Sequence, residues 1–232
     1  MTGDGTFIKN NAGERELNMN FKKVIVDSGL RMLNSGYTVE TWGNISFRDK
    51  ETNLIYLTPS GMDYSTIVED DVIVCDLDGK IIEGKRKPTI EMGLHLAIYK
   101  ARPEINAVIH THPIYSTVIS CIGEDMPLII DEAAQTLGGT VRTAPYALPG
   151  SQELADNCVK TLGAETNACL LMSHGAVCVG GTMDAAFKVS TVLEVTAQIY
   201  CLIKSTGKDC IKISDENICA MQYFAKNIYG QR

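Results

Sequence analysis

Ala107-Val108-Ile109-His110-Thr111-His112-Pro113 is an apolar run that ends in two histidines, two residues apart, and then a proline. Side chains two apart on a strand point to the same face. His110 and His112 can therefore grip one metal ion from one strand. Pro113 stops the strand just beyond the pair, which puts the pair at a sheet edge where a cleft can open. The chain has only four histidines in 232 residues. One of the others, His174, follows a second apolar run, Leu170-Leu171-Met172-Ser173-His174-Gly175-Ala176, and can close the same site from another strand. Three imidazoles suit zinc or a similar divalent ion with one position left open for chemistry. Manganese and cobalt accept the same donors.

Around this pair the apolar spacing alternates between strand and helix. Leu17, Phe21, Val24, Ile25, Gly29, Met32 and Leu33 have helical spacing over 17–35, with Gly36 as the stop. Short strands are expected at 45–47, 54–57 and 71–76, and Asp78-Gly79 turns the chain into Ile81-Ile82. Thr89 can cap a helix with Ile90, Leu94, Ala97, Ile98 and Ala101 on its apolar face, ended by Arg102-Pro103. Further helices are expected at 113–121, 131–137, 152–162 and 183–206, and from about 214 to the end. Leu128-Ile129-Ile130 reads as a short extended segment, and strands at 168–172 and 177–180 bracket His174. No linker, repeat or low-complexity stretch interrupts this alternation. The economical reading is one α/β domain over 17–232, preceded by a polar, Gly-rich, flexible segment at 1–16.

Composition narrows the function. Hydrophobic residues make up 45% of the chain, enough for a substantial core. A net charge of −7 argues against nucleic acid, whose phosphates demand clustered Lys and Arg. No membrane helix and no signal-peptide core are expected. The eight cysteines include no Cys-x-x-Cys, and several sit in apolar runs, as Cys75 and Cys178 do. They read as buried free thiols, which fits the reducing cytoplasm.

Glu91, at the start of the helix immediately before the histidine strand, is the natural carboxylate partner for the metal. Released from the ion, it can serve as a general base, a role worth on the order of 10²- to 10⁴-fold in rate. A first-turn glutamate favoured by the helix dipole has the same sequence appearance. His95, one helical turn on, is open to ligation but reads better as a hydrogen-bonded structural histidine. Gly43-Asn44-Ile45-Ser46 and Thr58-Pro59-Ser60-Gly61 are polar, glycine-bearing turns whose N–H groups and side chains could hold a phosphate, with Thr89 as a further donor. Read singly, each is more often a plain turn or cap.

Taken in order, Thr41-Trp42-Gly43-Asn44-Ile45-Ser46, Thr58-Pro59-Ser60-Gly61, Lys87-Pro88-Thr89-Ile90-Glu91, the 107–113 run, Ala144-Pro145-Tyr146 and Ser173-His174-Gly175 resemble the class II aldolase and epimerase family, closest to its fuculose-1-phosphate aldolase-like members. The resemblance covers nearly the whole chain, from about Phe21 to Arg232. It implies a single three-layer domain with a central, largely antiparallel sheet flanked by helices. It also implies a homotetramer with active sites between neighbouring subunits. On the matching positions it implies His110, His112 and His174 as zinc ligands, Glu91 as resting ligand and acid/base, and Asn44, Ser60, Gly61 and Thr89 as phosphate contacts. Where these aldolases carry a second hydroxyl residue after Thr89, this chain has Ile90.

The implied reaction is cleavage of a ketose 1-phosphate, such as a deoxy sugar phosphate, to dihydroxyacetone phosphate and an aldehyde. Tyr229, followed by Gly230, matches a tyrosine acid that acts in the neighbour's site. A second tyrosine of the family is replaced by Glu132, as in the methylthioribulose-1-phosphate dehydratases. The alternative is therefore a dehydratase, or a 4-epimerase, on the same metal site. The epimerases carry Asp at the Glu91 position, so Glu91 favours the aldolase side. A catalytically silent adducin-like scaffold is disfavoured by retention of the three histidines and Glu91.

Overall fold

The computed structural model describes residues 20–229. The flexible segment expected at 1–16 and Gly230 lie outside those residues. The chain runs α1 (Phe21–Asn34), β1 (Asn44–Arg48), β2 (Ile55–Leu57), β3 (Ile73–Cys75), β4 (Ile81–Glu83), α2 (Met92–Ala101), β5 (Ala107–Thr111) and α3 (Ile114–Ile122). It continues α4 (Asp131–Thr136), β6 (Thr143–Ala144), α5 (Gln152–Leu162), β7 (Ala168–Leu171), β8 (Gly175–Gly180), α6 (Met183–Ser205) and α7 (Asp215–Asn227).

All eight strands join one sheet in the order β4-β3-β2-β1-β5-β8-β7-β6. Neighbours are antiparallel except β6 and β7. The run that opened the sequence reading is thus the central strand β5, hydrogen-bonded to β1 on one side and β8 on the other. Strand alternation divides its side chains between two cores. Val108, with Val177 and Val179 of β8, packs under Leu94 and Ile98 of α2 and Leu154 and Cys158 of α5. Ala107 and Ile109 face the other way, against Ile25 and Met32 of α1 and Ala186 and Phe187 of α6. Beside them Ala176 and Cys178 pack with Ile119 of α3 and Val189 and Leu193 of α6. The result is the expected three layers, with helices on both faces of a largely antiparallel sheet. His110, two residues from Val108, belongs to the α2 face.

Several helix ends follow their sequence signals. The Asn20 side chain accepts from Lys23 N–H at the start of α1, Ser151 from Leu154 N–H at α5, and Thr182 from Ala185 N–H at α6. Each such cap contributes about 1 kcal/mol. By length and composition alone α6 could cross a membrane, but Ala186, Phe187, Ser190, Leu193 and Ala197 bury one side of it against the sheet.

Two expectations need correction. Thr89 does not cap α2, which begins at Met92 with Glu91 as the N-cap residue. The reason is strand-like pairing upstream: Thr89 N–H donates to Thr58 O and Ser60 N–H to Lys87 O, which keeps 87–89 extended. Ile90 is consequently left at the surface rather than on the helix's apolar face. Leu128-Ile129-Ile130 stays outside the sheet, with Ile130 extended at φ −135° and ψ 155°; the ladder contact falls just before it, at Met126 with Val141. The two-residue β6 carries no alternation that a sequence pattern could reveal, and it supplies the one parallel pairing.

Candidate active site

Three elements bring the histidines together. His110 is the fourth residue of β5 and is completely buried. His112 lies one residue past the strand's end, where its N–H donates to Tyr37 O at 2.7 Å and holds the chain in the extended course the strand began. His174 sits in the tight turn joining β7 to β8, after Ser173, whose φ of 54° is left-handed. Register does the rest: β5 and β8 pair Thr111 with Ala176, which carries the turn to the histidine end of β5.

The Nε2 atoms converge. That of His110 lies 2.9 Å from that of His112 and 3.3 Å from that of His174. Metal–nitrogen bonds of 2.0–2.1 Å in tetrahedral array place neighbouring nitrogens roughly 3.3 Å apart. The donor set fits a divalent cation. His110 Nδ1–H donates to Ala176 O at 3.0 Å, which turns its Nε2 lone pair toward the cluster. Burial first, and then the neighbouring His110 ring, depress the His112 pKa to about 3 and that of His174 to about 4. Both are therefore neutral imidazoles at pH 7, the form that binds metal.

Glu91 completes the group. Its Oε2 is 3.3 Å from His110 Nε2, and its Oε1 is 3.7 Å from His174 Nε2. Burial opposes its ionisation. The His110 ring, a 2.7 Å hydrogen bond donated by Asn44 Nδ2, and the His174 and His95 rings outweigh it and hold the carboxyl below its usual range. Oε1 is buried with no hydrogen-bond partner among the described residues, as is His174 Nδ1. A buried carboxylate oxygen left without a donor is costly, and a cation among the three rings would satisfy it.

The cluster forms the floor of a cleft of about 500 Å³ lined by Asn44, Ser60, Gly61, Thr89, Glu91, His112 and His174, with Trp42, Ile90 and Pro149 as its apolar part. Gly43 lets the cleft wall close in. Its φ is +75°, and an added Cβ would stand 2.8 Å from His110 O, so only glycine admits this approach. Glu132 and Tyr229 lie elsewhere in the chain. Glu132 is exposed on α4, which packs against α6 and α7. Tyr229 follows α7, 63% exposed, with its ring 5.9 Å from that of Phe224. Neither lines the cleft within one chain.

Behind Glu91 lies His95, a hydrogen-bonded structural histidine as its position one helical turn on suggests, while Ser46, its partner, and Tyr99, the partner of Ser46, are not singled out from the sequence. His95 is completely buried, and both of its ring nitrogens are taken up by hydrogen bonds, Nε2 with Asn44 and Nδ1 with Ser46. The signal was present in two spacings: Glu91, His95 and Tyr99 four apart on one helix face, and Asn44 and Ser46 two apart on one strand face.

The family model for the Class II Aldolase and Adducin N-terminal domain matches residues 23–201. The chain belongs to the class II aldolase family. Among its relatives, a 5-deoxy-D-ribulose 1-phosphate aldolase of Bacillus thuringiensis serovar kurstaki is 37% identical over 213 residues, 91% of this chain and 97% of that protein. An L-fuculose phosphate aldolase of Escherichia coli K12 is 33% identical over 208 residues, 90% and 94% of the two chains. Among solved structures, an L-fuculose 1-phosphate aldolase superposes with a TM-score of 0.86 at 35% identity, covering 89% of this chain and 96% of that one. Class II aldolase membership agrees with the histidine cluster and the three-layer fold.

Proposed function

We propose that this class II aldolase cleaves a ketose 1-phosphate, a deoxy sugar phosphate such as fuculose 1-phosphate, into dihydroxyacetone phosphate and an aldehyde. The observation that carries the proposal is the convergence of three imidazoles and the Glu91 carboxylate at the floor of the cleft. Bound by His110, His112 and His174, with Glu91 as the resting fourth ligand, a divalent cation (zinc by donor preference, manganese or cobalt by tolerance) supplies Lewis-acid stabilisation of the negative charge left by C3–C4 cleavage.

The chain's own residues do the remainder. Asn44, Ser60, Gly61 and Thr89 hold the phosphate in the cleft, so binding remote from the reacting bond positions it. Tyr229 of a neighbouring chain accepts the proton of the C4 hydroxyl as that carbon becomes the aldehyde, and Glu132 is the alternative acceptor. The bonding electrons move onto the dihydroxyacetone fragment, and Glu91, having first taken up a proton from solvent, delivers it to C3, while the proton lifted from the C4 oxygen passes back to solvent. In the addition direction Glu91 removes that proton. Because Tyr229 is exposed and outside its own chain's cleft, this scheme needs an assembly, a homotetramer with each site at a subunit boundary. The proposal includes a cytoplasmic location, supported by eight cysteines that are all free thiols.

The test is a panel of ketose 1-phosphates assayed for dihydroxyacetone phosphate release, with protein stripped by chelator and then reloaded with zinc, manganese or cobalt. Release is expected from reloaded protein and not from stripped protein or His110→Ala. Metal-loaded protein that releases no dihydroxyacetone phosphate from any member of the panel overturns the proposal.

A further inference from the structure

A continuous line of buried hydrogen bonds leads away from Glu91, and its direction is fixed at every step. The Glu91 carboxylate can only accept, so the Asn44 amide 2.7 Å away must present its Nδ2. The Asn44 Oδ1 then faces His95 Nε2, which must carry the imidazole proton. That leaves His95 Nδ1 as an acceptor, and Ser46 Oγ, 2.6 Å away, must donate to it. With its only proton committed, Ser46 Oγ accepts from the Tyr99 hydroxyl at 2.8 Å, a closer partner than Asn106 O at 3.3 Å. Asn44, Ser46, Glu91, His95 and Tyr99 are all buried. The line exists because one face of β1, carrying Asn44 and Ser46, lies against the face of α2 that carries His95 and Tyr99.

The consequence falls on Glu91. One oxygen, Oε2, is held by Asn44, while Oε1 has no protein donor and lies nearer His174. We infer that His95 is a positioning residue: it locks the Asn44 amide, which holds the Glu91 carboxylate by one oxygen and leaves the other free to exchange protons with substrate. The inference rests on the reading of Glu91 as the proton-transferring group. Without His95 the Asn44 amide can rotate, and Glu91 loses its aim without losing its charge. Such orientation by a buried support is a recognised determinant of proton-transfer efficiency.

Two measurements on the full-length, metal-loaded enzyme test it. The first compares His95→Leu, which fills the site but donates nothing, with His95→Gln, whose amide N–H can reach Asn44 Oδ1. His95→Leu should keep one metal ion per chain and a KM within about threefold, yet lose roughly 10- to 100-fold in kcat and in solvent exchange of the dihydroxyacetone phosphate proton. His95→Gln should recover most of that loss. Equal losses in both variants, undiminished exchange in His95→Leu, or a loss that follows lost metal would each overturn the inference. The second needs no variant and no turnover: nitrogen-15 NMR of the wild type should show His95 as the Nε2–H tautomer with Nδ1 hydrogen-bonded. An Nδ1–H tautomer or a doubly protonated ring overturns it even if His95→Leu fails to fold. Absence of exchange in wild type would instead count against Glu91 as the base, while the tautomer still reports on the line itself.

Discussion

Gly175→Ala is the sharpest small perturbation this site permits. Gly175 opens β8, directly after His174, and a Cβ there would stand 2.4 Å from Thr111 O and 3.1 Å from His112 Cδ2. Ordinary contact begins near 3.4 Å, so β8 must withdraw from β5 by about 1 Å at the oxygen. That oxygen lies between His110 and His112, and the withdrawal carries the His174 turn with it. Metal–ligand distances tolerate only about 0.2 Å, so the third imidazole can no longer reach the position set by the other two. A misplacement of about 1 Å costs on the order of 10²-fold in rate. Overpacking of this kind costs about 1–3 kcal/mol, which for a chain of this length lowers Tm by roughly 2–12 °C. Metal content by plasma mass spectrometry, kcat for aldol cleavage and a thermal melt would report all three effects. A variant that melts with wild type, retains stoichiometric metal and keeps its kcat would refute the claim that the β5–β8 approach sets the histidine geometry.

Other substitutions separate chemistry from scaffold. Glu91→Gln keeps the Asn44 contact but removes the ionised oxygen, so proton exchange at the dihydroxyacetone carbon should fall by about 10²- to 10⁴-fold; exchange at the wild-type rate would assign the base elsewhere. The Glu194 carboxylate accepts from Tyr115 N–H, Ser116 N–H and Ser116 Oγ–H, pinning the start of α3 just after His112-Pro113. Glu194→Ala should cost about 1–3 kcal/mol in urea denaturation, and an unmoved midpoint would mean that water replaces the cap. In metal-free protein, burial depresses the pKa of His95 and His112 to about 3 and of His174 to about 4, against 6.5 for an ordinary histidine. Between those values and pH 6.5 the unfolded chain binds more protons, so stability should be constant above that pH and fall as pH drops toward 4, by up to about 1.4 kcal/mol per pH unit for each histidine. The depressed Glu91 pKa adds a loss of the same sign at the acid end. Denaturation midpoints that stay flat from pH 7 to pH 5 would mean that these rings are charged in the folded state.

The sequence made the histidine cluster legible because its parts obey short-range rules. Two-residue spacing places His110 and His112 on one side of a strand, and an apolar run before His174 announces the second strand. The helices α1, α5, α6 and α7 were legible from a local signal too, their apolar spacing. What escaped depends on contacts between distant segments. The start of α2 is set by pairing between 58–60 and 87–89, which overrides Thr89 as a capping residue. The polar line from Glu91 to Tyr99 needs β1 to lie on α2, and no local pattern reports that packing.

X-ray absorption at the metal edge, on wild type and on His110→Ala, bears most directly on the three-imidazole site. The account predicts one divalent ion per chain with three nitrogen neighbours at about 2.0–2.1 Å, and loss of that ion, together with aldol cleavage, in the variant. A wild-type ion held by other ligands, or cleavage that persists in metal-free His110→Ala, would contradict it.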